Sequence, residues 1–248
     1  MVDSRHASAT DVSANDVSAN LAAVRARIEA ARVDDRPIEV TAVTKAKPES
    51  VIGLAVDAGC TAIGENYAQE LVSKRGAIEA IDPARRPRVD FIGQLQSNKV
   101  RQLVGLVDRW CTVDRMSLVR ELAKRAEGAH VLVQVDTSGS TGKGGCSPDA
   151  VADLVGACRD SGLVVDGLLS VGPTEGGPAA AEPGFRLVRA LVDDLALVVC
   201  SIGMTDDLEV AVAAGSTNVR IGSALFGPRP GTQEPADPEV RPVGDRRG

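Results

Sequence analysis

The sequence predicts a (β/α)8 barrel, and three observations lead to that prediction. Eight short apolar runs, each followed by a helical pattern, occupy roughly 190 residues of the 248-residue chain. The runs are nearly continuous Val, Ile, Leu and Ala, as in a parallel sheet that helices cover on the outside. No Gly-x-Gly-x-x-Gly pattern follows the first run, which disfavours the competing doubly wound open sheet.

The elements follow one another in a regular order. Asn20 is placed to cap a first helix, because Leu21, Val24 and Ile28 follow at the spacing of one helical face. The strand runs are EVTAVT (39–44), TAIGEN (61–66), DFIGQL (90–95), RWCTV (109–113), HVLVQVD (130–136), VVDGLLSV (164–171), LALVVCSIG (195–203) and TNVRIGS (217–223). Between them, PESVIGLAVDAG is typical of the connecting helices, with one apolar face and Gly59 as its stop.

One domain with two disordered tails is the predicted organisation. Residues 1–19 are polar and contain the tandem repeat DVSAN-DVSAN, and residues 230–248 are rich in proline and charge. Segments of this kind do not bury enough apolar surface to offset the entropy of ordering. The barrel domain is therefore predicted to span residues 20–229.

Composition excludes several classes of function. The net charge is -6, no Lys/Arg-rich run is present and aromatic residues are few, so we expect no nucleic-acid partner. No apolar run approaches the ~20 residues of a membrane span, and the start of the chain lacks the apolar segment of a secretory signal. Five scattered cysteines without a C-x-x-C pair indicate free thiols, so we expect a cytoplasmic protein. No long exposed apolar stripe is evident, and we expect a monomer.

Polar residues gather where the predicted strands end, which is where barrels carry their sites. Lys45 directly follows the first run, and Asn66 ends the second. Ser201 and Met204 lie at the end of the seventh run, and Arg220 lies in the eighth. The sequence therefore predicts a site built from these strand ends.

Two strand-to-helix junctions, SIGMTDD and RIGSALFG, indicate an anion site. Small residues such as Gly222 and Ser223 expose backbone N–H groups at the start of a helix. In barrels, the loops after strands 7 and 8, with a short extra helix, often bind phosphate, and SALFG is long enough for that helix. An ordinary capped turn is the alternative that this feature alone leaves open.

Lys45 has a chemical interpretation if it faces such a site. Desolvation and nearby positive charge lower the pKa of a lysine, and the neutral amine forms an imine with an aldehyde. Pyridoxal 5'-phosphate combines an aldehyde with a phosphate. Arg220 would donate a hydrogen bond to its pyridine nitrogen without protonating it, which weakens the ring as an electron sink. The alternative for Lys45 is a surface lysine, and the alternative for Arg220 is a salt bridge inside the barrel. Lys47 is interpreted as a solvated lysine.

At these residues the chain resembles the pyridoxal phosphate homeostasis proteins, whose barrel is like the N-terminal domain of alanine racemase. Six segments match in order: AVTKAKP (42–48), GENYAQE (64–70), FIGQLQSNK (91–99), CTVDR (111–115), SIGMTDDLEVAVAAGST (201–217) and VRIGSALFGPR (219–229). The resemblance implies a Schiff base on Lys45 and a ring close to Asn66 and Arg220. It also implies a phosphate surrounded by Ser201, Met204, Gly222 and Ser223.

The resemblance further implies a protein that holds pyridoxal 5'-phosphate for vitamin B6 homeostasis or delivers it to apo-enzymes that depend on this cofactor. Three positions depart from the family pattern. Asp90 stands where relatives often have histidine, Asp136 where they often have asparagine, and Leu169 where methionine is usual. These departures concern the ring pocket and leave the lysine and the phosphate loops unchanged.

A carrier and an enzyme differ in the acid and base groups they need. A racemase needs two such groups on opposite faces of the substrate carbon. Lys45 is one candidate, and the others are Tyr67, His130 and Cys200, of which the cysteine reads as a buried strand residue. Alanine racemase takes its second base from an extra domain of the partner subunit, which we do not expect here. The sequence thus predicts binding without efficient catalysis, with an amino-acid racemase and a sugar-phosphate aldolase as alternatives.

Overall fold

The structure, a computed structural model, describes residues 12–138 and 144–228. Its strands are β1 (Glu39–Val43), β2 (Ala62–Glu65), β3 (Arg88–Phe91), β4 (Arg109–Val113), β5 (His130–Gln134), β6 (Val164–Leu169), β7 (Val199–Ser201) and β8 (Asn218–Ile221). All neighbouring strands pair in parallel, and β8 pairs with β1, so the sheet closes on itself. The predicted (β/α)8 barrel is confirmed.

Helices cover the outside of this barrel. They are α1 (Ala14–Ala31), α2 (Ser50–Asp57), α3 (Ala68–Ser73), α4 (Arg75–Glu79), α5 (Val100–Leu103), α6 (Met116–Arg125), α7 (Val151–Asp160), α8 (Gly177–Asp194), α9 (Leu208–Ala213) and α10 (Ser223–Phe226). The short helix predicted after the eighth strand is α10. Across the described ranges, no helix combines the length and the apolar character needed to cross a membrane.

Helix α1 begins earlier than the sequence suggested. Ser13 caps it: the Ser13 hydroxyl accepts from the Asp16 amide, and the Asp16 carboxylate accepts from the Ser13 amide. Such a reciprocal pair satisfies two backbone donors at the helix start. Val17 and Leu21 are buried in an apolar cluster with β1, β8, α9 and α10. Packing against the barrel therefore stabilises the whole helix.

Two predictions about this part of the chain are wrong as a result. Asn20 does not cap the helix; it lies within α1, and its side chain donates to the Leu225 carbonyl at 2.9 Å. Residues 14–19, predicted as part of a disordered tail, are helical because Val17 has a buried apolar contact surface. Residues 1–11 and 230–248 of the two predicted tails lie outside the described residues.

Two strands, β3 and β7, differ most from the apolar runs that predicted them. β3 begins at Arg88 and ends at Phe91, so it lies earlier in the chain than the run 90–95. β7 covers three residues of the predicted run 195–203. The first part of that run forms the C-terminal cap of α8, where the Leu197 amide donates a hydrogen bond to the Val192 carbonyl at 2.9 Å. A continuous apolar run does not distinguish a buried helix end from a buried strand.

An ionic cluster fills the barrel interior near the N-terminal ends of the strands. Asp90 is buried and accepts hydrogen bonds from Arg88 at 2.8 Å and Arg109 at 2.6 Å. Arg88 also pairs with Glu39 at 2.7 Å. Charges in a barrel core are tolerated when they are paired and hydrogen-bonded. The cluster therefore closes this end of the barrel and leaves the opposite end for a site.

Candidate functional site

The C-terminal end of the barrel contains a cavity of about 580 Å³ that joins most of the predicted site residues. Six of the seven line it: Lys45, Asn66, Met204, Arg220, Gly222 and Ser223. They come from the ends of β1, β2, β7 and β8, and the closed barrel brings these ends together. Val43, Ile92 and Val171 add apolar surface to the cavity wall.

A second cavity, of about 700 Å³, adjoins the first and shares Asn66 with it. It is polar and contains Tyr67, Lys99 and Arg115. It includes neither Lys45 nor the loops that follow β7 and β8. We therefore place the candidate site in the smaller cavity, where an amine, a guanidinium and several small polar groups converge.

Arg220 lies at the base of this cavity as a buried cation. Its Nη1 donates to the Ser201 carbonyl and hydroxyl, both at 2.7 Å, and its Nη2 donates to the Ser170 carbonyl at 2.8 Å. No carboxylate pairs with it among the described residues, and its Nε makes no hydrogen bond to any of them. Burial lowers the pKa of Arg220 to about 10, which still leaves the group charged at neutral pH. The site thus has a fixed positive charge with an available donor.

Ser201 is the predicted site residue that does not line the cavity. It is buried beneath Arg220, and its hydroxyl donates to the Asn218 side chain at 2.7 Å while accepting from Arg220. Its position lets it orient Arg220. Its side chain faces the barrel interior together with those of Arg220 and Asn218, so Ser201 is covered by these residues and is not turned away from the site.

The loops after β7 and β8 meet at one edge of the cavity. The Ser223 hydroxyl donates to the Thr205 hydroxyl at 3.1 Å, and both residues line the cavity. The amides of Ser223 and Ala224, in the first turn of α10, have no acceptor within the described part of the chain. The Met204 amide, in contrast, donates to Asp207 at 2.6 Å. Two hydroxyls and two amides therefore form the polar edge; the sequence analysis had not singled out Thr205.

Lys45 reaches the cavity from a backbone bend just beyond β1. Ala46, the next residue, has φ of 55°, a left-handed conformation that is uncommon outside glycine. The Ala46 amide donates to Glu70 at 2.8 Å, which holds the bend. Lys45 is half-buried and lines the cavity. The chain therefore turns sharply where the reactive amine is expected.

Lys47 has a structural role, and its interpretation as a solvated lysine is wrong. Its ammonium donates to the carbonyls of Phe226 at 2.7 Å and Pro228 at 2.8 Å. Desolvation lowers its pKa. These bonds join the end of β1 to the end of α10 and so fix the position of the helix that carries Ser223. Residues distant in sequence supply the acceptors, which is why no local pattern revealed the contact.

Asn66 lies on the wall between the two cavities. Its side-chain Oδ1 is buried and has no hydrogen-bond partner among the residues described. Buried polar atoms of native proteins are nearly always paired, and the residue that carries this exception lines both cavities. This supports the predicted place of Asn66 in the site.

The three departures from the family pattern lie away from this cavity. Asp90 belongs to the ionic cluster, and Leu169 packs inside the barrel with Cys111 and Leu132. Asp136 accepts from the Ser138 amide and hydroxyl. None of the three lines the candidate site.

The residues considered as a second acid or base also lie elsewhere. Tyr67 is 56% exposed and lines the neighbouring cavity. Cys200 is fully buried within β7, and burial raises the pKa of its thiol to about 12. His130 pairs with Asp166 at 2.9 Å, at the opposite end of the barrel.

Sequence reasoning missed a buried lysine behind the site. Lys74 is 3% exposed and contacts Glu65, Glu70 and the Thr44 carbonyl. The sequence signal was the spacing of Glu70 and Lys74, four residues apart, which usually indicates an exposed helical ion pair.

Comparison with known proteins agrees with the fold. The family described as alanine racemase, N-terminal domain, matches residues 13–230. A pyridoxal phosphate homeostasis protein from Pseudomonas aeruginosa is 34% identical over 215 residues, covering 84% of this chain and 92% of the relative. One with the same name from Escherichia coli K12 is 37% identical over 228 residues, covering 84% of this chain and 94% of the relative.

A solved structure is similar over nearly the same extent. PipY of Synechococcus elongatus, with pyridoxal phosphate bound, has a TM-score of 0.72 and 26% sequence identity. The similarity covers 85% of this chain and all of PipY. Sequence and structure thus point to one family.

Proposed function

Because the chain belongs to the pyridoxal phosphate homeostasis protein family, built on the alanine racemase N-terminal domain, we propose that it binds pyridoxal 5'-phosphate at Lys45. The observation that carries the proposal is the convergence of a lysine, a buried guanidinium and a small polar edge on one cavity. PipY, a relative of the same barrel fold, has pyridoxal phosphate bound, which supports the choice of cofactor.

The residues of the cavity fit the parts of this cofactor. Ser223 and Thr205 offer hydroxyls, and the start of α10 offers amides, for the phosphate. Arg220, whose Nε makes no hydrogen bond within the described residues, is the proposed donor to the pyridine nitrogen. The unpartnered Oδ1 of Asn66 would be satisfied by a donor near the ring. Apolar wall residues would pack against the ring faces.

Lys45 supplies the amine in this proposal. The cofactor supplies an aldehyde, which condenses with a lysine amine and releases water. Lys47, the other lysine of the cavity, is held by two carbonyl oxygens and is poorly placed to react. Arg220 remains protonated and would therefore leave the pyridine nitrogen unprotonated.

We further propose that the protein stores or delivers the cofactor within the cytoplasm and is not an efficient enzyme. Among the described lining residues there is no tyrosine, histidine or cysteine that could act opposite Lys45. Asp206 is the one carboxylate among those lining residues. An enzyme that lacks a second acid or base at the substrate carbon loses a factor of about 10²–10⁴ in proton transfer. Apo-enzymes that require pyridoxal phosphate are the proposed recipients in vitamin B6 homeostasis.

The first experiment is to mix the purified protein with pyridoxal 5'-phosphate and record its visible absorbance. Borohydride reduction and peptide mapping then locate the adduct. We expect an adduct on Lys45, its loss in Lys45→Ala, and its retention in the control Lys99→Ala, since Lys99 lines the neighbouring cavity.

Two outcomes would contradict the proposal in different ways. An adduct spread over surface lysines would remove the cofactor assignment and restore the sugar-phosphate alternative. Rapid exchange of an amino acid's α-hydrogen with solvent deuterium, lost in Lys45→Ala, would establish the racemase alternative instead of a carrier.

A further inference from the structure

A cluster of three charged residues, two of them buried, lies directly behind the loop that carries Lys45. The Lys74 ammonium donates to Glu65 at 2.7 Å, to Glu70 at 2.6 Å and to the Thr44 carbonyl at 2.8 Å. An ammonium has three N–H donors, so these three acceptors use all of them. The Thr44 hydroxyl donates to the same Glu65 oxygen at 2.6 Å.

The cluster holds the backbone on both sides of Lys45. Lys74 binds the carbonyl of Thr44, the residue before Lys45. Glu70 accepts a hydrogen bond at 2.8 Å from the amide of Ala46, the residue after Lys45. Ala46 has the left-handed backbone conformation, which costs about 1 kcal/mol or more for a residue other than glycine. Contacts with the cluster offset that strain and fix the direction in which Lys45 leaves the strand.

Burial of these charges requires a reason other than stability. Glu65 is fully buried and Lys74 is 3% exposed, while the second carboxylate oxygen of Glu65 has no partner among the described residues. Burial raises the pKa of Glu65, although the bonds from Lys74 and Thr44 oppose this effect. Well-packed apolar residues often stabilise a fold as well as a buried ion pair does. They would not bind the Thr44 carbonyl or the Ala46 amide.

We propose that Lys74, Glu65 and Glu70 are positioning residues that set the backbone around Lys45, so that its amine points into the cavity. This inference rests on the proposed function of Lys45. The three residues act through the Thr44 carbonyl and the Ala46 amide, and none of them lines the cavity. Misplacing a reactive group by about 1 Å costs up to roughly 10²-fold in rate, so the cluster controls how fast Lys45 reacts.

Glu70→Ala is the informative variant. Lys74→Met leaves two carboxylates in the interior and is a severe change for folding, whereas the Glu70 side chain is 21% exposed. Glu70→Gln keeps an acceptor oxygen for the Ala46 amide and is the conservative rescue. Glu182→Ala is the matched control, because Glu182 forms an exposed ion pair with Arg186 four residues later, on α8.

Three measurements separate positioning from a general structural role. Hydrogen exchange of the Ala46 amide is followed in the protein without cofactor. The rate of adduct formation on Lys45 is followed after pyridoxal 5'-phosphate is added. The affinity for 4'-deoxypyridoxine 5'-phosphate is measured because this analogue has the ring and the phosphate but no aldehyde.

We expect Glu70→Ala to exchange the Ala46 amide faster and to form the adduct about tenfold more slowly, while its affinity for the analogue stays within about twofold. Glu70→Gln should recover most of the rate, and Glu182→Ala should match the wild type. The proposal is overturned if Glu70→Ala leaves the rate of adduct formation or the exchange of the Ala46 amide unchanged. It is also overturned if the affinity for the analogue falls by the same factor as the rate. A wild-type protein that forms no Lys45 adduct overturns the proposed function itself, and this inference with it.

Discussion

Replacing Asp90 by asparagine should destabilise the fold strongly and leave the cofactor site intact. Asp90 is 1% exposed and is the close acidic partner of Arg109, at 2.6 Å; the nearest alternative, Glu39, is 3.9 Å away. Asparagine has nearly the same shape but no charge, so it leaves the buried Arg109 guanidinium with only the more distant Glu39 carboxylate as an ionic partner. Breaking a buried pair in this way costs about 3–5 kcal/mol. For a domain of this size, that loss lowers Tm by roughly 6–20 °C.

Urea unfolding followed by circular dichroism measures the loss, and cofactor titration of the folded variant tests the site. Asp57→Asn is the matched control, because the Asp57–Arg85 pair has the same kind of contact, at 2.7 Å, with both side chains more than half exposed. We expect the control to cost under about 1 kcal/mol. Equal losses in the two variants would refute the assignment of Asp90 to a buried ionic cluster. Loss of cofactor binding in folded Asp90→Asn would refute its separation from the site.

Two further predictions concern the wall of the site and the stability of the fold at acid pH. A Cβ at Gly93 would lie 1.9 Å from the Asn66 carbonyl, so Gly93→Ala should lower the free energy of unfolding by about 1–3 kcal/mol and weaken cofactor binding. Gly53→Ala is the control, because Gly53 has open space around it and the substitution should change neither quantity in the urea and cofactor titrations. Burial raises the pKa of Glu39, but Arg88 outweighs it and the net pKa lies below 4.5. The contribution of Glu39 is therefore present above that value and lost as the pH falls through the folded pKa. In Glu39→Gln, the free energy of unfolding should therefore fall less steeply with decreasing pH below about pH 4.5. The same pH dependence in the variant and the wild type would contradict this.

Much of the barrel was predictable because its signals are local. β1 and β4 follow the apolar runs that predicted them closely, and Gly59 ends α2 with the positive φ that its glycine allows. The errors arose where an apolar run served two elements, as at the junction of α8 and β7. They also arose where burial ordered a polar segment, as it did around Val17.

The site was predictable in part for the same reason. Lys45, Asn66 and Ser223 each follow a strand, and a closed parallel barrel brings such positions to one end. Whether Lys45 carries the cofactor stays a prediction until an adduct is mapped. Ser201 shows the limit of the approach, since its side chain faces the barrel interior but is covered by Arg220 and Asn218, and only packing decides whether an inward side chain reaches the cavity.

By itself, the sequence determined the order of strands and helices and the kinds of side chain at each strand end, because periodicity and turn residues act over a few positions. Only the tertiary structure decided which polar groups meet. Lys47 binds the carbonyl of Phe226, 179 residues away, and Lys74 lies buried behind Lys45 although its spacing from Glu70 is that of an exposed pair. Burial and hydrogen bonding depend on distances in space, which the closure of the barrel sets and which no local pattern contains.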